Sequence, residues 1–153
     1  MEKTKEQTYI SWDKSFEIGI PLIDGQHKKL VSLCDSFYQS LLKSRSNGNS
    51  LLWESSLVVA LHECTDYVRE HLRQEELLMK AAGYADFAAH KKMHDTFALK
   101  ILEMDSSFET VSLGDTVNFV KFLYDWIIQH IAHTDKQYVK AVTAYLAKKA
   151  KSL

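Results

Sequence analysis

Four stretches of this chain repeat apolar residues at steps of three and four, and that period limits the possible folds more than any other feature. Residues spaced in this way share one face of a helix with about 3.6 residues per turn. Residues that favour turns are scarce, since the 153 residues include five glycines and one proline, Pro21. All-β and α/β chains need more turn-forming residues than this. We therefore predict an all-α fold.

The four stripes define four helices. Their apolar residues run from Ile23 to Leu41, from Leu57 to Leu78, from Phe87 to Met104 and from Val117 to Val142. Short connections favour antiparallel neighbours, so we predict an antiparallel up-down-up-down four-helix bundle. The segment SRSNGNS, residues 44–50, is expected to be the first loop, and Gly83 is expected to cap the second helix.

The residues before Pro21 lack the helical period. TYISWDKSFEIGIP mixes aromatic residues and isoleucines with glycine, a composition typical of an extended N-terminal arm laid over a core. No repeat, low-complexity tract or linker divides the remainder of the chain. We predict a single domain over residues 1–153, with the arm at about 1–20 and the bundle at about 21–147.

Charge and composition argue against several functional classes. The formal net charge is −1, from 19 basic and 20 acidic side chains, so no electrostatic footprint for nucleic acid is present. No apolar run has the length of a membrane span, and the opening MEKTKEQTYI does not resemble a secretory signal. Two cysteines without such a signal indicate a reducing compartment, and we expect a cytoplasmic protein.

Six ionisable residues lie on the apolar faces that should form the core: His27, His71, Glu75, His90, His94 and His130. One such residue is more often a core histidine with a hydrogen-bond partner than a metal ligand. Six, spread over four helices, are best explained by cations that neutralise and coordinate them. Imidazole with carboxylate suits iron, zinc, copper or nickel, and the donors exceed what one ion can use. The pattern therefore indicates a dinuclear, histidine-rich site.

The order of the motifs makes the chain recognisable. WDKSF comes first, then Gln26-His27, HLRQEE at 71–76, HKKMH at 90–94 and WIIQHIAHTD at 126–135. From about Trp12 to Tyr138 this series resembles the hemerythrin family, specifically the single-domain bacterial hemerythrins. The resemblance implies a non-heme di-iron centre, with two iron ions per chain and an oxo or hydroxo bridge, that binds dioxygen reversibly.

The resemblance also implies a role for each ligand. His90, His94 and His130 would hold one iron, and His27 and His71 would hold the other, which keeps an open position. Glu75 and Asp135 would bridge the two ions. The neighbouring Glu76 is interpreted as a solvated carboxylate or a partner of a ligand, and His62 and His133 as surface groups or such partners. Asp24, Glu103 and Tyr67 are further candidates for hydrogen bonds to the ligand imidazoles.

Apolar residues next to the ligands would line an oxygen pocket from which water is excluded: Leu30, Leu72, Trp126, Ile127 and Ile131. Ordinary core packing explains the same residues, and both interpretations can hold together. The family commonly has phenylalanine where Leu72 stands, a departure that bears on the pocket volume rather than on the metal site.

The function implied by the resemblance is dioxygen carriage, storage or delivery by a protein that is not an enzyme. One alternative is a di-iron oxidase or peroxidase, which the histidine-rich and nearly complete ligand set disfavours. The other is a sensor of oxygen, nitric oxide or redox state, which the absence of an attached output domain disfavours.

Two local expectations follow from spacing. Five residues separate His130 from Asp135, about 140° beyond one turn of a regular helix, so we predict a bend or a π-type widening between them. Cys34 and Cys64 lie seven residues from His27 and His71 respectively, in the same direction along the bundle, which places the two thiols at one level of the core. They are interpreted as small packing residues, or alternatively as a thiol pair that can oxidise.

Overall fold

A computed structural model describes residues 7–48 and 50–153, and within those ranges all regular structure is helical. Six α-helical segments are present: α1 (Pro21–Asn47), α2 (Ser50–Asp66), α3 (Arg73–Ala81), α4 (Phe87–Ser106), α5 (Leu113–Trp126) and α6 (Val139–Lys151). A π-helical segment, Tyr67–Leu72, joins α2 to α3. A second, Ile127–Thr134, and a 3₁₀ turn, Asp135–Tyr138, join α5 to α6. The six segments thus form four long helices, as predicted.

The ends of the four long helices meet as an antiparallel bundle requires. Ile23 near the start of α1 shares an apolar cluster with Met79 at the end of α3 and Val142 in α6, and Phe87 at the start of α4 packs against it. We call this group the small cluster; it also contains Ile18, Ile20 and Tyr138. Helix starts therefore alternate with helix ends at one end of the bundle, which confirms the up-down-up-down arrangement.

The first loop is shorter than predicted. Helix α1 continues to Asn47, and Gly48 follows in the left-handed conformation (φ 62°), with its N–H bonded to the carbonyl of Ser44. The prediction of a loop over residues 44–50 was wrong because the polar composition of this segment hid a helical turn whose Ser44 faces the core. Gly83 caps the second long helix as predicted, with φ 68°. The last helix extends to Lys151, beyond the expected end near 147.

Two aspartates hold the N-terminal arm against the bundle. Asp24 accepts the backbone N–H groups of Ile18 and Gly19 at 2.9 and 3.0 Å, and Asp35 accepts those of Tyr9 and Ile10 at 2.8 and 3.2 Å. Over residues 7–20 the arm is otherwise non-helical apart from one 3₁₀ turn, Lys14–Phe16. Asp24 therefore anchors the arm, and the expectation that it bonds a ligand imidazole is corrected. No helix in the described part of the chain is both long and apolar enough to span a membrane.

Candidate metal centre

A layer of buried polar side chains divides the apolar core in two. On one side lies the small cluster, and on the other a large cluster that includes Leu30, Leu72, Phe97, Ile127 and Ile131. All seven predicted ligands lie in this layer, and none is more than 4% exposed: His27, His71, Glu75, His90, His94, His130 and Asp135. The fold thus brings the whole predicted set together at one level of the bundle.

The five imidazole rings form two groups. His90, His94 and His130 lie with their ring centroids 4.6 to 5.1 Å apart. His27 and His71 form the second group, with centroids 4.6 Å apart. Each group, together with Glu75 and Asp135, offers ligand atoms that all lie within 4.8 Å of one another. The arrangement therefore provides two positions for metal ions that share the same two carboxylates.

The carboxylate oxygens face both groups. Oδ1 of Asp135 lies 3.0 Å from Nε2 of His90 and of His130, and its Oδ2 lies 3.2 Å from Nε2 of His27. Oε2 of Glu75 lies 3.5 Å from Nε2 of His71 and 3.4 Å from Nε2 of His94. Each carboxylate can thus reach a cation in either position.

The buried polar atoms of this layer lack the partners that a metal-free core would need. Ten buried side-chain atoms have no hydrogen-bond partner in the described part of the chain, and all belong to the seven predicted ligands. They include Nε2 of every histidine in the set and both oxygens of Asp135. Buried polar groups are rarely left in this state, because each costs about 1–3 kcal/mol. Imidazole nitrogens with carboxylate oxygens are suitable donors for iron, so these residues fit a pair of iron ions.

The helix around His130 and Asp135 is widened, as the spacing predicted. Ile127–Thr134 is π-helical, and the N–H of Asp135 donates to the carbonyl of His130, a bond that spans five residues. This pattern turns two side chains five positions apart towards the same site, which a regular helix would not do. The second π segment, Tyr67–Leu72, was not predicted, because His71 and Glu75 are four residues apart and fit a regular helix.

The hydrogen-bond partners of the ligands differ from the candidates named from sequence. Nδ1 of His71 contacts Oε1 of Gln26 at 2.5 Å, and Nδ1 of His94 contacts Oε1 of Glu76 at 3.0 Å. The hydroxyl of Tyr138 donates to Oε1 of Glu75 at 2.6 Å. Sequence reasoning named Glu76 but missed Gln26 and Tyr138, although Tyr138 lies three residues beyond Asp135, close to the same helix face.

The other candidates lie elsewhere. Glu103 is exposed, and Tyr67 stacks on the ring of His71 at a centroid distance of 4.6 Å while its hydroxyl accepts a hydrogen bond from Trp126. His62 has a 73% exposed side chain and lies 3.5 Å from Asp66, and His133 is exposed. These two histidines are surface groups.

The charges in the layer shift its pKa values in opposite directions. Burial would lower the pKa of His27, but the facing carboxylates of Asp135 and Glu75 raise it to about 9. Burial lowers the pKa of His71 to about 4. Burial and Asp135 would raise the pKa of Glu75, yet the surrounding imidazoles, His71 first, lower it to about 2. Without a metal ion, protons therefore supply part of the positive charge that the carboxylates need.

As the pH rises from 7 to 9, the stability of the metal-free protein is expected to fall while its affinity for metal ions is expected to rise. The folded pKa of His27, about 9, lies above its ordinary value of 6.5, so its stabilising contribution is present below pH 6.5 and disappears as the pH rises through 9. The metal-free protein should therefore lose stability between pH 7 and pH 9. Metal affinity should rise over the same range, because ions must displace that proton. Urea unfolding and metal titration at both pH values test this, and parallel trends would contradict it.

Apolar side chains surround the polar layer. Leu30, Leu72, Ile127 and Ile131 are all at most 3% exposed, and Trp126 stacks on the ring of His130 with centroids 3.8 Å apart. These five residues belong to the large cluster or pack against it. That they line an oxygen pocket remains a prediction.

The two cysteines are free, fully buried and part of the large cluster. Burial raises the pKa of Cys34 to about 12 and that of Cys64 above its usual range, and each thiol therefore stays protonated at neutral pH. Because the thiolate is the reactive form, these groups are expected to act as packing residues. Thiol titration should find two free thiols per unfolded chain before and after repeated exposure to oxygen. A fall to none would indicate the oxidised pair instead.

Comparison with known proteins agrees with this geometry. The family model described as Hemerythrin HHE cation binding domain matches residues 18–142. A bacteriohemerythrin of Pseudomonas paraeruginosa is 31% identical over 135 residues, which cover 88% of this chain and 82% of the relative. A bacteriohemerythrin of Methylococcus capsulatus is 29% identical over 129 residues, covering 84% of this chain and 92% of the relative.

The same likeness extends to solved structures. The crystal structure of wild-type hemerythrin superposes with a TM-score of 0.69 at 27% identity, covering 88% of this chain and 98% of that one. The family model matches most of the sequence, and the buried layer contains the expected candidate metal ligands, so this chain belongs to the hemerythrin family.

Proposed function

We propose that this chain binds dioxygen reversibly at a non-heme di-iron centre, and that it carries, stores or delivers dioxygen rather than acting as an enzyme. The single observation that carries the proposal is the pair of ligand groups sharing Glu75 and Asp135. One iron would be held by His90, His94 and His130, and the other by His27 and His71. A solvent-derived oxo or hydroxo group would complete the bridge.

The two ligand groups are unequal in donors, which supports binding of an added ligand on one side. The group of His27 and His71 offers one imidazole fewer than the other, so an ion held there would keep a coordination position for an exogenous molecule. When bound, a pair of ferrous ions supplies the electrons that reversible dioxygen binding requires. The protein holds the bridging Glu75 through the Tyr138 hydroxyl, at 2.6 Å.

Exclusion of water is the second contribution that the chain would make. Leu30, Leu72, Ile127 and Ile131 are buried around the layer, and the ligands themselves are nearly inaccessible to solvent. A dry site limits proton transfer and therefore limits loss of bound oxygen as reduced species. This favours carriage over oxidase or peroxidase activity, and the two free thiols are consistent with a reducing cytoplasm.

An optical experiment tests the proposal. The protein is reconstituted anaerobically with ferrous iron, exposed to air and then returned to argon through several cycles. Carriage requires a spectrum that appears in air and disappears under argon without loss of iron. Rapid consumption of oxygen with an added reductant would indicate the di-iron enzyme instead, and a spectrum that does not reverse would overturn reversible binding.

A further inference from the structure

The outer edges of two ligand imidazoles meet partners of different charge. His94, in the group of three, faces the carboxylate of Glu76, whereas His71, in the group of two, faces the side-chain amide of Gln26. In contrast, the buried Nδ1 atoms of His27 and His90 have no hydrogen-bond partner among the residues that the structure describes. The two partnered imidazoles thus distinguish the two metal positions.

The contact with Glu76 determines which ring nitrogen of His94 donates a hydrogen bond. Because a carboxylate oxygen accepts hydrogen bonds, Nδ1 of His94 donates to it, and in the neutral imidazole the lone pair then lies on Nε2, which faces the site. Glu76 is only 22% exposed at its side chain, so water screens the contact weakly. A carboxylate in this position orients an imidazole and makes it a stronger metal donor.

The Gln26 contact orients His71 without adding charge. Nε2 of Gln26 donates to Oε1 of Gln74 at 3.1 Å, and this leaves Oε1 of Gln26 facing Nδ1 of His71. His71 therefore donates through Nδ1 and also presents a free Nε2 to the site. Since the acceptor is a neutral amide, it increases the donor strength of the imidazole less than a carboxylate does.

We propose that Glu76 and Gln26 are positioning residues that make the two metal positions unequal in affinity. The position of His90, His94 and His130 fills first and holds its ion tightly, and the position of His27 and His71 fills second and exchanges its ion. The inference rests on the proposed di-iron function. The number of imidazoles favours the same order, so the contribution of the outer partners is measured by exchanging their charges.

The role of Glu76 is tested by an anaerobic titration with Co²⁺, which is monitored by calorimetry and by the visible spectrum of the bound ion. Two binding steps are expected, and His71→Ala should remove the weaker one, which assigns it. Glu76→Gln should weaken the tighter step roughly 10- to 100-fold. Asp95→Asn is the matched control: it removes the same charge in the same surface crevice, but Asp95 pairs with Lys91 at 2.9 Å and does not bond His94. Its two steps should match those of the unaltered protein.

The role of Gln26 is tested by the opposite change, which adds a negative charge instead of removing one. Gln26→Glu should tighten the weaker step and shift the Co²⁺ spectrum of that position, a gain that a merely structural role would not produce. Gln74→Glu is its control, since it adds the same charge at a side chain that bonds Gln26 and not the imidazole, and it should have a much smaller effect. Circular dichroism establishes that each variant is folded.

The outcomes separate the two proposals. An unaltered protein that binds one ion or none overturns the di-iron function itself. Two steps in the unaltered protein, with Glu76→Gln indistinguishable from Asp95→Asn or with Gln26→Glu no tighter than the unaltered protein, overturn the inference and leave the dinuclear site standing.

Discussion

Replacing Asp135 with alanine is expected to leave the chain unable to hold two iron ions. The two oxygens of Asp135 face different ligand groups, with Oδ1 at 3.0 Å from His90 and His130 and Oδ2 at 3.2 Å from His27. Its loss removes a charge from both positions and leaves the like charges of the two cations poorly screened from each other. Iron analysis should give one ion per chain or none, against two in the unaltered protein.

Glu75→Ala should behave in the same way, because Glu75 is the other residue common to both groups. Glu103→Ala is a suitable control, since that acid is exposed and does not contact the layer. Two irons per chain in folded Asp135→Ala protein would contradict a bridging role for this carboxylate. The optical spectrum of the loaded protein provides a second readout, because a paired centre and a single iron absorb differently.

Removal of the metal is expected to destabilise the protein strongly. Ten buried polar atoms of the layer then lack hydrogen-bond partners, and each such atom costs about 1–3 kcal/mol before water enters. A net loss of ~5 kcal/mol is a conservative expectation, since protonation of His27 and local opening recover part of the total. For a chain of this length the melting temperature should fall by roughly 10–20 °C.

Calorimetry of the iron-loaded and chelated protein measures this change. A chain carrying Glu75→Ala, already without its metal pair, should show a smaller change when the chelator is added than the unaltered protein does. Equal melting temperatures for loaded and metal-free protein would show that the layer is stable without ions, contrary to its unsatisfied donors and acceptors.

The sequence predicted the fold class and six of the seven ligands because both depend on short-range periodicity, whereas Asp135 was named from the resemblance to the hemerythrin family. The spacing within HKKMH and within HLRQE places each pair on one helix face, and the faces of an amphipathic bundle must point inward. The five-residue separation of His130 and Asp135 does not fit a regular helix, and for this reason it predicted the widened segment.

Other features depend on contacts between distant residues and could not be predicted from local pattern. Gln26 bonds His71 across 45 positions, and Tyr138 bonds Glu75 across 63. Asp24 was one candidate partner for the ligand imidazoles; the arm itself was predicted, but no local pattern showed that its backbone N–H groups would bond to Asp24. The loop at residues 44–50 was misplaced because polar composition outweighed the burial of Ser44 in the interpretation.

The division of the core by the polar layer has a consequence for cooperativity. Apolar contacts normally couple one end of a bundle to the other, but here the small cluster meets the large one across charged groups rather than across packed hydrocarbon. Bound ions would be coordinated by all four long helices, and they would link the two clusters that the polar layer separates. Without them, the small cluster would open as a separate unit, with fast amide hydrogen exchange around Ile23, Met79 and Val142 while the large cluster stays protected. The iron-loaded bundle would then unfold in one step, and the metal-free bundle in two.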